Sequence, residues 1–264
     1  MRSVLAIARK ELNVYFTTPI AYVAFMVMAL FAALFFTGSV DVYRTFVTRM
    51  SSYEGQEILE HLNLTDVVVS RLFDSVGIFI VIVSPFLSMR LVAEERRART
   101  FELIMTSPVR PFQIVLGKYL ASLCVVAVSI AIVAAFPVLL SFFARGAHGG
   151  SPVEWQTTLT GLLGLFLLGA MCMAVGLFVS ALSESVIVAA LISLIVLLGL
   201  WLVTIFTVGS QGPARDLAQG LSASEHLVAF LQGRIELKDI VYYLSFVALG
   251  LWFTDRAIEG QRWV

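Results

Sequence analysis

Six stretches of this chain stay apolar long enough to cross a lipid bilayer, and no other feature of the sequence constrains the fold as strongly. They run from Ile20 to Gly38, Leu72 to Met89, Tyr119 to Phe143, Leu159 to Leu182, Val186 to Gly209 and Ile240 to Thr254. A hydrocarbon core about 30 Å thick takes roughly 20 helical residues to span. Only a helix or a closed barrel satisfies every backbone group inside it. The expected fold is an all-α integral membrane protein with six transmembrane helices. The last run has only 15 residues, so it must tilt little, sit in thinned bilayer, or be extended by its neighbours. Its Tyr242, Tyr243 and Trp252 suit the two interfacial belts. Composition agrees: 59% of the 264 residues are hydrophobic and the mean hydropathy is +0.92, against about 45–50% apolar residues in soluble domains.

Six spans put both termini on one side, and lysine and arginine say which. With the termini inside, 11 of the 18 basic residues are cytoplasmic and 7 are external, and the short cytoplasmic loops carry the excess. Net charge is zero and no basic face appears, so nucleic acid is not an expected partner. The N-terminus has the basic start of a secretory signal. Its apolar run begins only at Ile20, is long enough to span, and is followed by no small-residue cleavage site, so it reads as retained. Residues 1–264 read as one transmembrane domain without internal repeats.

Between the spans, Ser39 to Arg71 reads as an external loop ending in a short helix, and Arg145 to Thr158 as a turn-rich loop. Ser183 to Ser185 is a tight turn, with Ser183 a reasonable N-cap for the fifth span. Within the external segment 210–239, apolar residues fall at helical spacing broken by Gly220 and Gly233. One or two short helices are expected there, either dipping toward the membrane or lying on its surface.

Ionisable residues inside a membrane mark ion and proton pathways. The spans offer only Asp74, in the first turn of the second, which disfavours an ion-coupled carrier or pump. At the centre of the spans, Ser84-Pro85, Ser129, Pro137 and Ser193 are the polar or irregular points. The fourth span concentrates Gly161, Gly164, Gly169, Ala170, Ala174 and Gly176, which permit close helix approach. They serve either packing within the chain or a seam along a dimer or pathway. Cys124 and Cys172 lie in apolar runs and read as packing residues, and no metal site is expected. A phosphate-binding loop is missing: "PFQIVLGKYL" has Gly117-Lys118, but Phe112 replaces the first Gly and Tyr119 the hydroxyl residue. It reads as a chance match at a span boundary, so nucleotide hydrolysis is not expected of this chain.

The charged stretch "EERRARTFELIMTSPVR" interrupts the apolar pattern. Its Glu94-Glu95 and Arg99 match the EExxxR signature of an intramembrane protease, but His61, His148 and His226 all fall in loops of the opposite face. Asn63-Leu64-Thr65 is a formal glycosylation sequon, meaningful only in a secretory-pathway host. Thr100 to Ser107 reads as a short helix, with Phe101, Ile104 and Met105 near one face and Glu102 pointing away, ended by Pro108. Residues 93–111 are therefore either a solvated interfacial segment or a docking surface.

Three segments make the second reading specific. "AEERRARTFELIMTSPVRPFQIVLGKYLA" resembles the segment between the second and third spans of type-2 ABC exporter permeases. "ARKELNVYFTTPIAYV" resembles that family's amphipathic connecting helix, here within residues 1–19. "EHLVAFLQGRIELKDIVYYLSF" and "FTDRAIEGQRW" resemble the gliding-motility type of permease. The resemblance implies a permease that pairs with a second copy or a related half and binds two cytoplasmic ABC ATPase subunits, which hold ATP and Mg. It assigns Arg9, Lys10 and Glu11 to the connecting helix. It assigns Glu94, Glu95, Arg99, Thr100, Phe101, Glu102, Ile104, Met105 and Ser107 to the ATPase-coupling region. Arg99 is a departure, because many relatives have Gly there, which tolerates a left-handed turn. The implied location is a bacterial inner membrane with both termini cytoplasmic. The alternative is a non-transporting anchor or force-transmitting subunit of an ATPase-driven complex acting on an external protein.

Overall fold

The computed structural model describes residues 2–51, 65–98, 110–143, 153–207 and 212–260. Among these residues the chain is helical throughout, with no strand. The helices are α1 (Arg2–Thr17), α2 (Pro19–Ser51), α3 (Ser70–Ser88), α4 (Ala93–Arg97), α5 (Pro111–Phe143), α6 (Trp155–Leu182), α7 (Val186–Leu202), α8 (Pro213–Leu221), α9 (Ala223–Leu231) and α10 (Leu237–Gly260). A π-helical turn, Thr65–Val69, leads into α3, and a 3₁₀ turn, Val203–Thr207, follows α7. Among the described residues six helices are long and apolar enough to cross a membrane, as the apolar runs require.

Helix ends depart from the ends of the apolar runs, because hydropathy measures bilayer depth whereas a helix continues until its hydrogen-bond ladder is interrupted. The first span's helix goes on through Asp41, Arg44 and Arg49, so Ser39–Ser51 is helix rather than loop. The third starts at Pro111, a residue suited to a first helical position because it lacks an N–H, and so takes in Gly117 and Lys118. The sixth reaches 24 residues by including both polar ends, which removes the shortfall of its 15-residue run. The N-cap of α7 is Ser185, in extended conformation; Ser183 instead follows the last turn of α6. In the segment expected to be external, the described residues form two helices between 213 and 231, split at Ser222 rather than at Gly220. Ser222 Oγ accepts from the Glu225 N–H, within a Ser-x-x-Glu sequence that marks a helix start. Gly233, at φ 75°, ends α9 in the left-handed region that glycine tolerates.

Helix α6 is the central post. In its most apolar window 72% of residues are buried, against 17% for α2 at the periphery. It packs on α3, α5, α7, α9 and α10. Its small residues face several of these neighbours in turn. Gly161 abuts Phe73 of α3, Gly164 abuts Phe230 of α9, Gly169 abuts Val126 of α5, and Gly176 abuts Ser88 of α3. Ala174 meets Gly250 of α10, and the Ala170 carbonyl accepts from Tyr119 Oη at 3.1 Å. These contacts lie within the chain.

Candidate functional site

Helix α1 carries Val4, Ile7, Ala8, Glu11 and Tyr15 at three- and four-residue intervals, so they share one face. That face lies along α5. Gly117 makes the approach possible: a Cβ there would come within 2.7 Å of Ile7 and 3.1 Å of the Val4 carbonyl oxygen. The next residue, Lys118, is 2% exposed and reaches Glu11 Oε1 at 3.0 Å and Glu95 Oε2 at 2.9 Å. Lys10, on the rim, bridges Glu11 and Glu95, each at 3.0 Å. Two lysines and two glutamates from α1, α4 and α5 thus form a charge-balanced knot. Two ammonium groups and two carboxylates compensate one another there, so little net charge is buried.

Burial alone would push the Glu11 carboxyl up, but the Lys118 ammonium and then Lys10 outweigh it and hold the group below its ordinary value. Burial would lower Lys10, and hydrogen bonds to Glu95 and Glu11 outweigh it and hold its ammonium above its ordinary value. Burial pushes the Tyr15 phenol up. Its hydroxyl donates to the Leu87 carbonyl oxygen at 2.8 Å and fastens α1 to the end of α3.

A second set of bonds fixes α4 from the other side. Ser180 Oγ, near the end of α6, accepts from the Val92 and Ala93 N–H groups, both at 3.1 Å, and donates to the Met89 carbonyl oxygen at 2.9 Å. Arg96 donates to the Ala181 carbonyl oxygen at 2.9 Å. Helix α4 has only 5 residues and no side-chain cap of its own. Ser180 therefore supplies acceptors that a short helix start would otherwise lack.

A cavity of about 220 Å³ lies between α1, the start of α2, the end of α3 and α4; its floor is Glu11, Glu95 and Lys118 and its apolar wall includes Val14, Ile20 and Phe86. Beside it an open groove of about 470 Å³ runs past Arg90, Glu94 and Arg97 to Val186 and Ile187. Glu94 is exposed between the two, whereas Glu95 turns inward. Arg9 is exposed on the outer side of α1. The paired glutamates of the sequence motif therefore face in different directions. The sequence-predicted Arg99, Thr100, Phe101, Glu102, Ile104, Met105 and Ser107 lie outside the described residues.

For His226 the protease reading of Glu94-Glu95 fails on distance, and His61 and His148 lie outside the described residues. His226 sits in α9, which packs near Gly164, while α4 packs at Ser180. At 1.5 Å per residue these points are roughly 24 Å apart along α6. Among the described residues no cluster of His, Cys, Asp and Glu could hold a metal.

Sequence reading missed Lys118, Tyr15, Arg96 and Ser180. It set Gly117-Lys118 aside as a failed phosphate loop and counted Asp74 as the sole ionisable residue of the spans. The structure puts Lys118 inside α5 and Asp239 in the first turn of α10, both buried. One signal was available: Glu11 falls in phase with the apolar face of α1, and an acid in that position calls for a basic partner.

No curated protein matches the chain significantly. A family model described as ABC-2 family transporter protein matches residues 5–253, a range that takes in five spans and most of the sixth, most of α1, and all four residues of the knot. By that match across nearly its whole length, the chain belongs to the ABC-2 family of transporter proteins.

Proposed function

We propose that this chain is the permease subunit of an ABC exporter, in which α1, α4 and the adjoining residues 99–109 receive the motion of a separate cytoplasmic ATPase. The observation that carries the reading is the Lys118 knot. It ties the N-terminal helix and the charged turn after the second span to the root of the third, so a push on either is delivered to a transmembrane helix. The Ser180 bonds pass the same push to α6, which touches most of the bundle.

Hydrolysis in this reading belongs to the ATPase, which supplies the ATP and Mg site. The export complex holds two permease halves, as a homodimer or with a related half. The basic residues of the short loops favour α1 and α4 on the cytoplasmic side of a bacterial inner membrane, with both termini there. The C-terminal motif's resemblance favours the gliding-motility branch. Residues 93–111 form the coupling region and 210–239 an external segment of the same domain.

The test is co-purification of the tagged chain from its native membrane. An ATPase subunit with its own phosphate-binding loop is expected in near-stoichiometric amount. Glu94→Arg combined with Ile104→Asp should lower its recovery at least about tenfold, the equivalent of ~1.4 kcal/mol, without loss of membrane insertion. Glu95→Arg is a poorer probe, because Glu95 is bound to Lys118. Unchanged recovery of the ATPase with the double variant would overturn the coupling assignment.

A further inference from the structure

The cavity beside the knot is lined by residues from two depths. Ile20 and Ala21 open the first apolar run, and Phe86 and Leu87 lie near the end of the second. Lys10, Arg90 and Glu94 fall outside both runs. The lining therefore crosses the boundary between hydrocarbon and headgroups, which lies where apolar runs end. Val14 and Phe86, on the apolar wall, are 47% and 48% exposed. Apolar surface at that depth meets acyl chains rather than water, so this side of the cavity adjoins lipid.

Charge says which headgroup fits. Lys10, Arg90 and Lys118 stand against Glu11, Glu94 and Glu95, so the lining is neutral as a whole. Within it, the knot pairs Lys118 with Glu11 and Glu95. Lys10 uses two of its three N–H donors in the knot and keeps the third, on a side chain 58% exposed. Arg90 and Glu94 are exposed and form no ion pair among the described residues. The rim thus offers a ligand two cationic donors and one free carboxylate.

The Tyr15 and Thr18 hydroxyls already donate to the Leu87 and Val14 carbonyl oxygens, so they add acceptors only. A phosphate suits the two cations. The carboxylate and the hydroxyl oxygens suit an ammonium that still carries N–H. An anionic headgroup leaves Glu94 facing like charge, and a quaternary amine donates to none of these acceptors. A cavity of about 220 Å³, at roughly 30 Å³ per water-sized group, has room for about seven such groups. That is the size of phosphoethanolamine without its glycerol and acyl chains.

We propose that this cavity binds phosphatidylethanolamine, with its phosphate on Arg90 and Lys10, its ammonium on Glu94 and its acyl chains leaving past Phe86 into the bilayer. Lys10 belongs to α1, Arg90 to the turn after α3 and Glu94 to α4, so one headgroup spans elements that the knot also joins. Glu94 borders the open groove as well. Its two oxygens allow it to hold the ammonium and still line that groove. The inference rests on the membrane fold and not on the coupling reading.

The test titrates the full-length chain in mild detergent with phosphatidylethanolamine, phosphatidylcholine and phosphatidylglycerol of one acyl composition, and counts bound lipid by native mass spectrometry. One phosphatidylethanolamine should bind at least about tenfold more tightly than either other lipid. Glu94→Gln should remove the preference over phosphatidylcholine, whereas Arg90→Gln should weaken both of those lipids by a similar factor. Both side chains are exposed, so neither replacement strands a buried charge. Glycerophosphoethanolamine, which lacks acyl chains, should not displace the lipid at equal concentration. Equal affinity for the three lipids, or tighter binding of phosphatidylglycerol, overturns the proposal. So does a preference that survives Glu94→Gln, affinity unchanged in Arg90→Gln, or displacement by glycerophosphoethanolamine.

Discussion

Lys118 illustrates how one residue carries two kinds of information. By type and burial it is among the most expensive side chains the chain could place at a span's end, and its position between Glu11 and Glu95 removes that expense. Removing this cation leaves two carboxylates with only the rim ammonium of Lys10 between them. Lys118→Ala should therefore destabilise the protein by about 3–5 kcal/mol, read as a lowered unfolding midpoint in detergent. Lys118→Met combined with Glu11→Gln and Glu95→Gln removes all the charge at the Lys118 contacts and should recover most of that loss. Equal instability of the single and triple variants would mean that packing, not charge, sets the cost. Ser180 shows the same logic without charge, since one hydroxyl uses both accepting capacity and its proton.

At the scale of elements, α1 is the informative case. An isolated helix of its length is marginal in water, so its stability comes from lying on α5, and Gly117 permits that contact. Gly117→Leu should lift α1 off α5 and weaken the Tyr15 to Leu87 bond, at a cost of roughly 1–3 kcal/mol. Amide exchange over residues 3–17 is the measurement, and a drop in protection confined to α1 is expected. Unaltered protection would mean that α1 is held by something other than this contact. The fourth span's glycines act differently, because each admits a neighbour to α6 and their combined effect is a post contacted on several sides. Such a post needs small residues at each crossing and cannot present all of them to a second copy.

The whole molecule has two ends with distinct chemistry. One holds the Lys118 knot and the Ser180 bonds. The other holds the His226–Asp239 pair and the bonds from the Glu154 N–H to Thr65 Oγ1 and from Ser70 Oγ to the Leu231 carbonyl oxygen. Proposed sidedness places the first end in the cytoplasm. In a variant lacking Cys124 and Cys172, a single cysteine at Arg234 should react with an impermeant maleimide in right-side-out vesicles. One at Glu94 should react only after the membrane is opened. The reverse pattern would invert the topology and remove α1 and α4 from the reach of a cytoplasmic ATPase.

The number of spans and their order were legible in the sequence because they depend on local hydropathy. The capping sequence at Ser222 was equally local, though it is easily passed over beside two glycines. Which residues meet was another matter. Glu11, Glu95 and Lys118 are separated by up to 107 positions, and only the packing of α1 on α5 and of α4 on α6 brings them into one knot. His226 and Asp239 are close in sequence, yet their facing depends on how α9 turns at Gly233 and docks on α6. The sequence by itself determined a six-span membrane bundle with a charged turn and an amphipathic N-terminal helix, since bilayer thickness and helical rise leave few alternatives. The tertiary structure alone decided that Gly117-Lys118 is a docking point and that Glu95 is bound to Lys118 while Glu94 is left exposed, because the cost of a buried charge depends on partners that no local pattern names.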